Sequence, residues 1–162
     1  MFKKVCIIGC GLIGSSIARA IKKYNLAEKV VSSNRSDEVN RKVIELNIVD
    51  NSSQDVKKMV DGSDLIIIAT PLSSYEDVIL KIKNSLNSGS ILTDVGSVKE
   101  NVMKLVEKNL PEDISWIPSH PIAGTEESGP DSGFAELFKN RWCILTPNNT
   151  ANQKDINLIK KF

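Results

Sequence analysis

No apolar run in this sequence approaches the roughly 18 residues needed to cross a bilayer, so a membrane-spanning helix is not expected. Neither sign of charge dominates. The 21 basic and 20 acidic residues are mixed along the chain and leave a net charge of +1, so no single-sign field exists to attract nucleic acid or an acidic membrane surface. Cysteine is scarce. Cys6, Cys10 and Cys143 are odd in number and contain no CxxC pair, which fits neither a disulfide framework nor a zinc site, so no metal is expected and the thiols read as reduced. Cys6 and Cys143 lie in apolar, strand-like runs, whereas Cys10 sits in a glycine loop and reads as the more accessible thiol. Internal repeats and low-complexity tracts are absent. The start, Met1-Phe2-Lys3-Lys4 before an apolar stretch, has the outline of a secretory leader, but Gly9 and Gly11 interrupt its hydrophobic part, and a cytoplasmic protein is expected. At 162 residues the chain is long enough for one good core and too short for two ordinary domains.

What is present is an alternation of two periodicities. Val5-Cys6-Ile7-Ile8 is wholly apolar, β-branched and followed by glycine, the pattern of a strand buried on both faces. Ile13, Ile17, Ala20, Ile21 and Tyr24 then recur at helical spacing. Val30-Val31 reads as a second strand and Asp37 to Leu46 as a second helix, with Val39, Val43 and Leu46 inward. Leu65 to Ala69 is the strongest buried strand. Ser73 with Glu76 forms a capping box ahead of the next helix. Ile91-Leu92-Thr93 is a strand, and Ser97 with Glu100 repeats the capping-box spacing before a helix that Pro111 stops. Ile114 to Ile117 is strand again, a loop rich in Gly, Pro and Ser runs from Pro118 to Gly133, and Trp142 to Leu145 is a last strand. Apolar strands alternating with amphipathic helices imply a doubly wound, mainly parallel α/β sheet with helices on both faces.

Gly9-Cys10-Gly11-Leu12-Ile13-Gly14 matches GxGxxG and lies between the first strand and the first helix. In that place the first glycine allows the tight turn, the second lets backbone approach a pyrophosphate, and the third lets helix pack on strand. Helix N-terminal amides then face the phosphates. The motif therefore predicts a Rossmann fold that binds NAD or NADP over residues 1–150. A carboxylate about 20 residues on ordinarily takes both ribose hydroxyls of NAD. Here that place holds Asn34, followed by Arg35 and Ser36. An amide and a guanidinium suit a 2′-phosphate and hence NADP; alternatively Asn34 bonds the ribose hydroxyls while Arg35 stacks on adenine, or Asp37 acts as a displaced acid.

Ligands of open parallel sheets bind beyond the carboxyl ends of the strands. Three stretches lie there: Ala69-Thr70-Pro71-Leu72, Asp94-Val95-Gly96-Ser97-Val98-Lys99, and Ser119-His120-Pro121-Ile122-Ala123-Gly124-Thr125-Glu126. Thr70, Pro71, Leu72, Asp94 and Gly96 are read as cofactor contacts. His120 is the single histidine. Pro121 biases it toward extended backbone, and an imidazole can accept a hydroxyl proton near neutral pH.

The glycine loop continuing as Leu12-Ile13-Gly14-Ser15-Ser16, the Ala69-Thr70-Pro71 turn, Asp94 to Lys99, and His120 to Glu126 with Ser128-Gly129 together resemble the prephenate and arogenate dehydrogenases. The resemblance covers essentially the whole chain. It implies oxidative decarboxylation: hydride leaves the ring carbon bearing the hydroxyl for the nicotinamide, carbon dioxide departs, and prephenate becomes 4-hydroxyphenylpyruvate on the route to tyrosine. It also implies His120 as the base that accepts the hydroxyl proton and Ser97 as the group that bonds the substrate hydroxyl. Lys99, Gly124, Thr125 and Glu126 are placed near the site, although Lys99 also reads as a solvated helix residue. In that family a helical domain follows, forms the homodimer and supplies an arginine for a substrate carboxylate. Residues 151–162 read as the start of the helix leading to it, with Ile156 and Ile159 on one face, and the chain looks cut rather than finished. Other readings of the same residues are a β-hydroxyacid-type dehydrogenase, with a catalytic lysine elsewhere, and a non-enzymatic NAD(P)-sensing module.

Overall fold

Alternate residues of the central strands divide between two cores. On β1 (Phe2–Ile8), Val5 and Ile7 point to one face and Cys6 and Ile8 to the other; on β4 (Leu65–Ile68), Leu65 and Ile67 oppose Ile66 and Ile68, and all eight are buried. A strand covered on both faces has no reason to alternate in polarity, which is why these runs are continuously apolar. The structure is a computed structural model and describes residues 1–147 and 151–162; the boundary expected at residue 150 lies outside the described residues.

Among the described residues six strands form one parallel sheet in the order β3-β2-β1-β4-β5-β6. The remaining members are β2 (Ala27–Ser33), β3 (Asn51–Ser53), β5 (Ile91–Asp94) and β6 (Ser115–Trp116). The core on one face takes Ala18 and Ile21 of helix α1 (Leu12–Lys23), Val43 of α2 (Asp37–Glu45), and Ile156 and Ile159 of α6 (Gln153–Lys161). The other takes Met59 and Val60 of α3 (Val56–Val60), Tyr75 and Ile79 of α4 (Tyr75–Ile82), and Val102 and Val106 of α5 (Glu100–Asn109). Each fully buried isoleucine stabilises the fold by about 1.5–3 kcal/mol relative to exposure. Strand order reverses between β1 and β4, so the crevice of this doubly wound sheet opens where the first and fourth strands end. Beyond it a two-stranded antiparallel ribbon joins β7 (Ser119–Pro121) to β8 (Cys143–Leu145).

Several local expectations differ from the structure. Neither capping box forms. A 3₁₀ turn at Leu72–Ser74, in which the Ser74 amide donates to the Pro71 carbonyl, precedes α4, and no side chain caps that helix. Helix α5 begins at Glu100 with Lys99 as its N-cap, which leaves Ser97 two residues upstream of the cap. The short β3 and α3 escape hydrophobic patterning because β3 is three polar residues at a sheet edge and α3 a single turn or so capped by Asp55. The cysteine reading is reversed: Cys10 is buried in the core, while Cys143 is exposed on the ribbon.

Candidate active site

The loop after β1 has the shape that a pyrophosphate requires. Gly9 adopts φ of +96°, and a Cβ there would lie 2.9 Å from the Ala69 carbonyl oxygen and from Thr70 Cγ2. A Cβ on Gly14 would lie 2.0 Å from the Gly9 carbonyl oxygen, so only glycine lets α1 pack this close to the turn. Above Gly11 the space is open, with nothing within 4 Å of an added Cβ. Helix α1 has no side-chain cap and no acidic residue in its first turn, so the amides of its first residues, Leu12 and Ile13 among them, are left for an anion. Thr70 Oγ1 is buried at the same crevice without a protein partner among the described residues. The residues present therefore fit a dinucleotide.

Asn34 is 7% exposed. Its Oδ1 accepts from the Cys10 amide at 2.6 Å, and its Nδ2 donates to Asn40 Oδ1 at 3.0 Å and approaches the Ser32 and Ser52 hydroxyls at 3.2 Å. Arg35 and Ser36 are exposed beyond it, and the Ser36 hydroxyl caps α2 by accepting the Val39 amide. Pro71 and Leu72 are exposed across the crevice on the turn after β4.

At the end of β5, Asp94 is fully buried and surrounded by donors. Lys99 Nζ reaches both carboxylate oxygens at 2.7 and 2.6 Å, the Gly96 amide donates at 3.0 Å, the Ser119 amide at 3.1 Å and the Tyr75 hydroxyl at 3.1 Å. One expectation is corrected: Lys99 is not a solvated helix residue, because the buried Asp94 carboxylate draws it inward. Burial pushes the Lys99 ammonium below the usual lysine range, against the opposing pull of Asp94. Burial, reinforced by the Asp94 charge, drives the Tyr75 phenol well above its ordinary value, so Tyr75 serves as a neutral donor. Lys99 also donates to the Ser119 carbonyl, and the Ser119 hydroxyl donates to the Asp94 backbone oxygen at 2.5 Å. The turn carrying Ser97 and the strand carrying His120 are thus tied to the same cluster.

His120 is half-buried in β7, opposite Ile144. Strand alternation turns it away from Ser119 and Pro121, both of which line an apolar cavity of about 470 Å³ with Ile17, Tyr24, Phe138 and Trp142. That cavity takes in neither the glycine loop nor His120. Ser97, Gly124, Thr125 and Glu126 are exposed. The long connection from β7 to β8 is pinned on α1, where the Phe134 amide donates to Ser16 Oγ at 3.1 Å and Arg19 reaches the Pro130 carbonyl at 3.4 Å. Sequence reading missed Asn40, Ser52 and Tyr75, and gave Ser119 no role beyond its place in the third stretch. The one visible signal was Asn40 on the inward side of α2 beside Val39 and Val43.

Strand order, glycine geometry and an anion-ready helix terminus define a dinucleotide-binding domain of the Rossmann type. Residues 17–162 match the family model described as prephenate dehydrogenase, nucleotide-binding domain, and the chain belongs to that family. It is 43% identical over 147 residues to a cyclohexadienyl dehydrogenase of Zymomonas mobilis, covering 91% of this chain and 50% of the relative. Among solved structures it is similar to prephenate dehydrogenase from A. aeolicus in complex with hydroxyphenyl propionate and NAD+, with a TM-score of 0.91, 26% identity, and coverage of 99% and 56% of the two chains. It is also similar to Synechocystis arogenate dehydrogenase, with a TM-score of 0.90, 26% identity, and coverage of 98% and 55%. The chain spans about half the length of the curated relatives it matches.

Proposed function

We propose that this chain is the cofactor-binding and base-bearing part of an NAD(P)-dependent dehydrogenase that oxidatively decarboxylates prephenate. The observation that carries the proposal is the Asp94 carboxylate accepting the Ser119 amide at 3.1 Å, which fixes the residue before His120 at the sheet end where the glycine loop opens. The nicotinamide supplies the hydride acceptor when bound. His120 accepts the proton of the substrate hydroxyl, Ser97 bonds that hydroxyl and orients it, and the open space over Gly11 receives the pyrophosphate. Gly124, Thr125 and Glu126 border the substrate. Arogenate is the second substrate reading, supported by the likeness to the Synechocystis enzyme.

Residues 151–162 lead, in this reading, toward a segment that supplies a cation for a substrate carboxylate and the contacts of a homodimer. A charge-assisted clamp of that kind would hold the substrate carboxylate. No helix among the described residues is long and apolar enough to cross a membrane, and the three free cysteines suit a reducing cytoplasm.

The test is His120→Asn in the protein as its gene encodes it, assayed with prephenate and with arogenate, each with NAD and NADP. Removing the base lowers kcat by about 10²–10⁴-fold and leaves cofactor affinity unchanged. Full turnover by the variant would overturn the assignment.

A further inference from the structure

The residue that ends β2 in a dinucleotide-binding domain is ordinarily the one that reads the adenosine ribose. Resting on the cofactor reading above, we propose that Asn34 instead clamps the glycine loop, and that the choice between NAD and NADP falls to Arg35 outside it.

Both ends of the Asn34 amide are already engaged. Two successive amides of the loop are held by two successive residues of the β2 end, Gly9 by the Ser33 carbonyl at 2.9 Å and Cys10 by Asn34 Oδ1 at 2.6 Å. On its other side Nδ2 serves Asn40 Oδ1 at 3.0 Å. The orientation of Asn40 is itself determined, because its Oδ1 also accepts from Ser52 Oγ at 2.6 Å while its Nδ2 donates to the Asn34 carbonyl at 3.0 Å. Turning Asn34 toward a ribose would release the buried Cys10 amide and leave the Asn40 and Ser52 acceptors without their shared donor.

The same lattice rejects a carboxylate. Aspartate at position 34 would place an oxygen against Asn40 Oδ1 with no hydrogen between them. Asn40 cannot flip to meet it, since its own oxygen would then oppose the Asn34 carbonyl. The acidic residue that selects NAD elsewhere is therefore opposed by α2, whose Asn40 Oδ1 faces position 34, with only the Ser32 and Ser52 hydroxyls left to donate to it. Discrimination passes to the next residue. Arg35 is exposed, among the described residues no ion pair ties it down, and a guanidinium matches a phosphate ester in charge and geometry.

The test is calorimetric titration of the chain with NAD and NADP, comparing the parent with Asn34→Asp and Arg35→Ser, together with amide hydrogen exchange on cofactor-free Asn34→Ala. Asn34→Asp weakens both cofactors by about tenfold or more while holding their ratio within about threefold. Arg35→Ser lowers NADP affinity about tenfold and leaves NAD within about threefold. In Asn34→Ala the Cys10 amide loses protection while the β1 amides from Val5 to Ile7 keep theirs, which separates a loosened loop from a lost fold. Selective tightening of NAD by Asn34→Asp, or a Cys10 amide still protected in Asn34→Ala, would overturn the clamp. A parent chain that binds neither cofactor would overturn the cofactor reading beneath it, and the exchange result would still judge the clamp alone.

Discussion

Lys99 bonds both oxygens of the buried Asp94 carboxylate, at 2.7 and 2.6 Å, and so joins the turn after β5 to the approach to His120. Because a buried charge without its partner is far costlier than no charge, Lys99→Met should lower the unfolding free energy by about 3 kcal/mol in urea at neutral pH. Asp94→Asn combined with Lys99→Met should recover part of that loss, since no charge is then left inside. A double variant less stable than the single one would show that the pair does not carry the effect.

The glycines of the first loop should separate stability from binding. Gly14→Ala sets a methyl 2.0 Å from the Gly9 carbonyl oxygen and should cost about 1–3 kcal/mol through overpacking, lowering the melting temperature. Gly11→Ala meets nothing within 4 Å and should melt like the parent, yet lose affinity for either cofactor in calorimetry because the methyl occupies the pyrophosphate's approach. Equal melting of the two variants would contradict the packing argument.

Only one thiol should react in the native protein. Burial pushes Cys6 up to about 12 and Cys10 up to about 11, so at pH 8 roughly a thousandth of Cys10 is thiolate, and it is also shielded. Cys143 is raised too, chiefly by burial of its sulfur, but it lies on the exposed ribbon. Mass spectrometry after brief alkylation should find a single adduct, at Cys143, and three adducts after denaturation.

Asp50 should make part of the stability acid-labile. Burial works against its charge, but hydrogen bonds from Lys22 and the Val30 amide and the Lys22 charge outweigh that and hold it below its ordinary 3.8. A depressed carboxylate stabilises the fold above its ordinary value, and the contribution is lost as pH falls through the folded value. Asp50→Asn should therefore cost up to about 1 kcal/mol at neutral pH, small because the pair is partly solvated. Melting temperatures of the two proteins should converge as pH drops below 3.8.

The parallel sheet and the glycine loop were legible because both rest on local regularities: buried strands such as Leu65–Ile68, and three glycines whose spacing is set by one turn. The failures share a different cause. What periodicity could not show is how the side chains of Asp94, Lys99 and Asn34 are held by their own protein. Whether a polar side chain faces a ligand or its own protein depends on partners distant in sequence, Ser119 for Asp94 and Ser52 for Asn34, and no periodicity reports these. The capping boxes also did not form: no side chain caps α4, and α5 starts at Glu100 with Lys99 as its N-cap.

The Phe134 amide and the Ser16 hydroxyl that receives it are 118 residues apart, and Arg19 and Pro130 are 111 apart. Closing such long segments costs chain entropy that nearby strand pairings do not incur, and contacts of wide sequence separation form slowly. Time therefore orders this molecule. The β1–α1–β2 unit and its glycine turn can organise while the ribbon that carries His120 is still unpaired. Pulse-labelled exchange during refolding should protect the β1 amides ahead of the Phe134 amide.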